Sequence, residues 1–158
     1  TNTVRICTDA EIAYKKAKQI HTLENEVTQA DFQGKRILLV EDNKLNREIA
    51  VTMLAQTGML TEEAVDGSVA VDMVQNSAPG YYDLILMDIQ MPIMDGYEAT
   101  KKIRALTNKE LAHIPIIAVS ANAFEEDKKA SLAAGMDGHI AKPINVHELF
   151  TLMQKFIK

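Results

Sequence analysis

From Lys35 onward, short apolar runs and segments of helical period alternate five times, and this alternation limits the fold more than any other feature. The runs at 36–40, 83–88 and 114–120 are dominated by Val, Ile and Leu. Strands read this way when both of their faces are buried, as in a parallel sheet covered by helices. The run at 60–65 is more polar and suits a sheet edge. The run at 138–141 is short. Segments 45–57, 68–76, 97–106, 124–134 and 146–157 carry helical periodicity. Several of them stop at turn residues such as Gly58, Pro79-Gly80 and Gly135. Strand–helix alternation with right-handed crossovers gives an α/β architecture with a doubly wound, five-stranded parallel sheet.

In open α/β sheets, ligands bind outside the carboxyl ends of the strands. The residues at those ends therefore carry the functional argument. The first strand is followed by Glu41 and Asp42. The third closes on Asp88, the fourth on Ser120, and Lys142 follows the fifth. The edge strand ends in Asp66-Gly67, which reads as a turn. Three crowded carboxylates repel one another and would raise at least one pKa. A divalent cation relieves the repulsion, and Mg²⁺ prefers oxygen ligands of this kind together with phosphate. The cluster contains no Cys or His, which argues against zinc. Lys142 offers a compact positive charge for a phosphate oxygen. Ser120 offers a hydroxyl donor. Carboxylates also serve as nucleophiles in aspartyl-phosphate chemistry. Acids, a cation, a hydroxyl and a lysine together describe a phosphoryl-transfer site.

Four ordered stretches make the reading specific: Leu38-Leu39-Val40-Glu41-Asp42-Asn43, Met87-Asp88-Ile89-Gln90-Met91-Pro92-Ile93-Met94-Asp95-Gly96, Val119-Ser120-Ala121 and Lys142-Pro143. Through them the chain resembles the receiver domains of two-component response regulators, especially those fused to hybrid sensor histidine kinases. The resemblance covers nearly all of 34–158. It implies a flavodoxin-like sheet of order 2-1-3-4-5. It implies that Asp88 is the phosphoacceptor, and that Glu41, Asp42, Asp88 and the backbone carbonyl of Gln90 hold Mg²⁺. Ser120, Ala121, Lys142 and His139 would surround the phosphoryl group or relay its arrival. The family also has a cis peptide before its proline, here Lys142–Pro143, which would aim Lys142 at the site. The implied partner is a histidine kinase or a His-containing phosphotransfer domain, and a homodimer stays open.

Some positions depart from the commonest pattern of the family. Glu41 stands where Asp is more frequent, and Ser120 where Thr is usual. His139 occupies a switch position often held by Tyr or Phe, so it is either a switch residue or an ordinary half-exposed strand residue. Small Ala121 would leave the phosphoryl site open to a donor. Charge added at Asp88 would pull Ser120 and Lys142 inward and repack the face formed by 124–134, 138–141 and 146–157. Met87, Met91 and Met94 read as core filler. Asp95-Gly96 reads as a turn ahead of the next helix.

The competing chemistries fit less well. An aspartyl-phosphate hydrolase of the haloacid-dehalogenase class needs a second acid two residues after the nucleophile, where Gln90 stands. A flavin module of similar topology needs a phosphate loop where Glu41-Asp42-Asn43 would repel phosphate. A pseudo-receiver would not need the acids, Ser120 and Lys142 all intact. A stand-alone response regulator is the alternative to a hybrid-kinase receiver.

Residues 1–33 have a different rhythm. Thr8 and Glu11 have capping-box spacing. Ile20, Leu23, Val27 and Ala30 form one apolar stripe, which predicts a linker or signalling helix. The chain opens on Thr1, which fits a trimmed initiator or a piece of a longer protein equally well. Of 158 residues 47% are hydrophobic, yet no apolar run approaches the roughly 20 needed to span a membrane. No secretory signal is visible. The single cysteine, Cys7, excludes an internal disulfide framework. A net charge of −5 without a basic patch argues against nucleic acid. The expectation is a cytoplasmic domain with no direct membrane contact.

Overall fold

The computed structural model describes residues 32–121 and 125–157. The helix expected within 1–33 falls outside them, apart from Phe32 and Gln33. The elements run β1 (Arg36–Val40), α1 (Lys44–Ala55), β2 (Leu60–Ala64), α2 (Gly67–Gln75), β3 (Leu84–Asp88), α3 (Gly96–Arg104), α4 (Lys109–Ala112), β4 (Ile116–Ser120), α5 (Glu125–Ala134), β5 (Gly138–Ala141) and α6 (Val146–Phe156). All pairings are parallel and the strand order is β2-β1-β3-β4-β5, as the alternation and the resemblance imply.

Side-chain alternation along each strand splits the core into two layers. Leu38, Val40, Ile85, Met87, Ile116 and Ala118 face α2 and α3, where they meet Ala70, Val74, Ala99 and Ile103. Ile37, Leu39, Leu84, Leu86, Ile117 and Val119 face α1 and α6, where they meet Leu54, Leu149, Phe150 and Met153. β3 and β4 are buried along their whole length, while edge strand β2 is mostly not. Phe32, at the start of the described residues, is fully buried with its ring 6.1 Å from that of Phe150. Burying such side chains contributes about 1.5–3 kcal/mol each, which makes the sheet a rigid base for the loops at its edge.

Four of those loops enter their helices through side-chain caps. Asn43, Asp66, Asp95 and Asn145 each accept a hydrogen bond from the backbone N–H three residues on, at 2.9–3.0 Å. Such caps contribute about 0.5–2 kcal/mol each. Asp66-Gly67 is therefore a cap and first helical residue, not the free turn expected after the edge strand. The Val69 N–H and the Ser68 hydroxyl hold the Asp66 carboxyl below its ordinary pKa. Asp95-Gly96 likewise opens α3. The one-turn α4 was not anticipated, because four residues carry too little periodicity to register.

Candidate functional site

Register brings the carboxyl ends of the strands into line. Val40 lies level with both Ala64 and Met87, Asp88 with Val119, and Ser120 with Ala141. The residues just beyond these positions thus emerge on one rim. Glu41, Asp42 and Asp88 each place a carboxylate oxygen within 4.8 Å of the others. Glu41 and Asp88 are buried, Asp42 exposed, so the cluster opens on one side.

Lys142 closes the buried side. Its Nζ donates to Glu41 Oε2 and Asp88 Oδ2, both at 3.1 Å. The backbone N–H of Lys142 donates to the Ser120 carbonyl at 2.7 Å, tying the two loops together, and the Lys142–Pro143 peptide is cis. Asp88 Oδ1 also accepts from the Gln90 N–H at 3.3 Å. Gly96 keeps the β3–α3 loop close. A Cβ there would lie 2.4 Å from the Asp88 carbonyl oxygen and 2.9 Å from Ile89 Cα.

The electrostatics are uneven across the cluster. Burial pushes the Asp88 carboxyl up to about 7, helped by its contact with Glu41 and that group's charge, against the pull of Lys142. For Glu41, burial also works upward. Its contacts with Asp88 and Asn46 and the Lys142 charge outweigh burial, and its pKa ends below the ordinary value. Burial would lower the Lys142 ammonium, but its bonds to Asp88 and Glu41 and their charges raise it instead. Without a cation, then, Asp88 is the carboxyl that holds a proton near neutrality, while Glu41 stays ionised. An all-oxygen set of three carboxylates around one point fits Mg²⁺, which would take the place of that proton.

Two contributors escaped sequence reasoning. Asn46 Nδ2 donates to Glu41 Oε1 at 2.9 Å, and Arg47 Nη1 donates to the carbonyls of Glu41 and Asp42, each at 3.0 Å. Both sit in the first turn of α1, facing back over the β1–α1 loop. The Asn43 cap starts the helix there, but no sequence signal shows which partner either side chain meets. Asn46, Ile49, Ala50, Met53, Pro143 and Ile144 also line an apolar cavity that runs from Glu41 and Asp88 toward α1.

The switch candidates sit together on the other flank. Ser120 is buried and its Oγ lies 2.8 Å from His139 Nε2. Ala121 is exposed at the rim. Met87 is fully buried, Met91 nearly so, and Met94 packs against the same core layer.

The geometry agrees with what the chain is similar to. A family model described as the response regulator receiver domain matches residues 37–154. Hybrid signal transduction histidine kinase I of Dictyostelium discoideum is 40% identical over 130 residues, covering 81% of this chain and 8% of that protein. The chain thus spans a small part of that relative. The receiver domain of sensor histidine kinase PA1611 from Pseudomonas aeruginosa PAO1, solved with magnesium coordinated in its active site cleft, is 41% identical. It gives a TM-score of 0.70 over 78% of this chain and 97% of that one. A co-crystal structure of the Saccharomyces cerevisiae histidine phosphotransfer protein Ypd1 with the receiver domain of response regulator Ssk1 gives a TM-score of 0.69 at 29% identity. That match covers 79% of this chain and 90% of that one.

Proposed function

Because the chain belongs to the response regulator receiver domain family, we propose that Asp88 accepts a phosphoryl group from the phosphohistidine of a histidine kinase or a His-containing phosphotransfer domain. The observation that carries this is the placement of one buried carboxylate, Asp88, beside two further acids and 3.1 Å from an ammonium. In the transfer, an Asp88 carboxylate oxygen forms the new bond to phosphorus. The P–N bond of the donor breaks, and its electron pair returns to the imidazole. Bound Mg²⁺ would supply positive charge to the phosphoryl oxygens, held by Glu41, Asp42, Asp88 and the carbonyl of Gln90. Lys142 turns from its carboxylate partners to a phosphoryl oxygen. Ser120 donates its hydroxyl, and Ala121 keeps the approach open. Positioning and charge balance make up most of such catalysis.

The donor would approach over α1, where Leu45 and Ile49 are exposed beside the apolar cavity. Likeness to hybrid histidine kinases over one part of their length supports a receiver within a longer kinase, acting in a phosphorelay. Among the described residues no helix is long and apolar enough to cross a membrane. A cytoplasmic setting is part of the same proposal. The test is incubation of the chain with acetyl phosphate and Mg²⁺, followed by intact mass. The native chain gains one phosphoryl mass and Asp88→Asn gains none. A gain that survives in Asp88→Asn removes Asp88 from this role.

A further inference from the structure

Resting on the reading of Glu41 as a Mg²⁺ ligand, we propose that Asn46 is a positioning residue that holds the Glu41 carboxylate in place for the metal, both at rest and during phosphoryl transfer. The backbone of the β1–α1 loop is fixed without it. The Glu41 N–H donates to the Ala64 carbonyl at 3.1 Å. Arg47 Nη1 donates to the carbonyls of Glu41 and Asp42, each at 3.0 Å, and Arg47 Nε lies 3.4 Å from Glu63 Oε1 on β2. None of these bonds reaches the Glu41 side chain, which turns about three torsions of its own. Asn46 does reach it, with Nδ2 2.9 Å from Oε1. A carboxylate only accepts hydrogen bonds, so the amide presents its NH₂ there and its orientation is set. The Asn43 cap fixes the first turn of α1 by accepting from the Asn46 N–H at 3.0 Å. Helical side chains lean toward the N-terminus, which here is toward Glu41.

The Glu41 carboxylate is thus held at both oxygens, by Asn46 at Oε1 and by Lys142 Nζ at Oε2, 3.1 Å away. The two holds part during transfer. Lys142 also bonds Asp88 and, in the function proposed above, leaves both carboxylates for a phosphoryl oxygen. Asn46 carries no charge for that oxygen to attract, and its amide stays on Glu41. Partners behind a metal ligand fix its orientation and sustain its basicity. Glu41 therefore remains aimed at the metal site after its ammonium partner has gone. Without Asn46 the metal would have to order a free-turning side chain as it binds, at a cost in affinity. The role depends on the length of residue 41. Aspartate is shorter by one methylene, about 1.5 Å of chain, which takes its carboxylate beyond hydrogen-bond reach of Asn46.

The experiment is calorimetric Mg²⁺ titration of the full chain in its native form, as Asn46→Ala, as Glu41→Asp and as the double variant. Alanine is a better helix former than asparagine, so Asn46→Ala should unfold in urea no earlier than the native chain when metal is absent. Its Mg²⁺ affinity is expected to fall about three- to tenfold, the scale of one hydrogen bond. In Glu41→Asp, where the bond cannot form, adding Asn46→Ala should change Mg²⁺ affinity by less than about twofold, because the pair no longer interacts. An Asn46→Ala variant that binds Mg²⁺ as tightly as the native chain overturns the proposal. So does an equal loss in both backgrounds, since Asn46 would then act through something other than Glu41. A native chain that binds no Mg²⁺ would instead defeat the reading of the metal site, and this role with it.

Discussion

Lys142 Nζ reaches Asp88 Oδ2 at 3.1 Å across 54 residues of sequence, and the same nitrogen holds Glu41 at 3.1 Å. The ammonium thus occupies the inner side of the carboxylate cluster, where a phosphoryl oxygen would need a counter-charge. A charge-assisted hydrogen bond contributes about 1.5–3 kcal/mol. Lys142→Met is therefore expected to slow acetyl phosphate uptake about ten- to a hundredfold, as followed by intact mass over time. Calorimetric titration should show that Mg²⁺ still binds, since the acids remain. Uptake at the native rate would show that Lys142 only balances charge in the resting state.

The pKa of Asp88 near 7 gives a second expectation. A carboxyl raised in the folded state holds its proton more tightly than in the unfolded chain. Its contribution to stability is fully present below the ordinary carboxyl range and is lost as pH rises through about 7. Comparing urea unfolding of the native chain with Asp88→Asn between pH 5.5 and 8.5 isolates this group. The native chain should lose stability relative to the variant as pH rises, and saturating Mg²⁺ should reverse the loss. Mg²⁺ titrations should release a proton below pH 7 and weaken as pH falls. A flat difference across that range would mean that Asp88 is already ionised in the metal-free protein.

Much of this site was legible in the sequence because a parallel sheet sends every strand end to one rim. Glu41, Asp42, Asp88, Ser120 and Lys142 each adjoin the end of a short strand, so locating the strands located them. Asn46 and Arg47 were harder. Each acts through the rotation of a helix about its own axis, toward a partner on another element or loop. Hydrophobic periodicity sets that rotation to within about a residue, which is coarser than a hydrogen bond requires. The role of Asp66 was misread for a related reason. Asp-Gly is a turn signal and also a cap followed by a helix, and only the bonds to Ser68 and Val69 decide between them.

Gly96 tests how tightly Asp88 depends on its backbone. An added Cβ would meet the Asp88 carbonyl oxygen at 2.4 Å, a contact that no side-chain rotation can relieve. Gly96→Ala should cost about 1–3 kcal/mol in urea unfolding, the range for overpacking a filled site. It should also weaken Mg²⁺ binding, because relief of the clash displaces Asp88 or the β3–α3 loop. Native stability and native Mg²⁺ affinity together would show that the loop can move away without disturbing Asp88.

Ile93 lies in the same loop with φ at 73°, a left-handed conformation in which a β-branched residue is an outlier. The residue is 84% exposed, so burial offsets little of that strain. A left-handed residue other than glycine costs about 1–2 kcal/mol. Glycine removes the strain but adds about 0.5–1 kcal/mol of chain entropy to the unfolded state. Ile93→Gly should therefore stabilise the protein by roughly 0.5–1 kcal/mol in urea unfolding. Ile93→Asn tolerates the same backbone with less entropy and should do at least as well. Uptake from acetyl phosphate, a donor too small to touch the loop's outer surface, should be native in both. If both variants were less stable than the native chain, the Ile93 side chain would have to make contacts that outweigh its backbone strain.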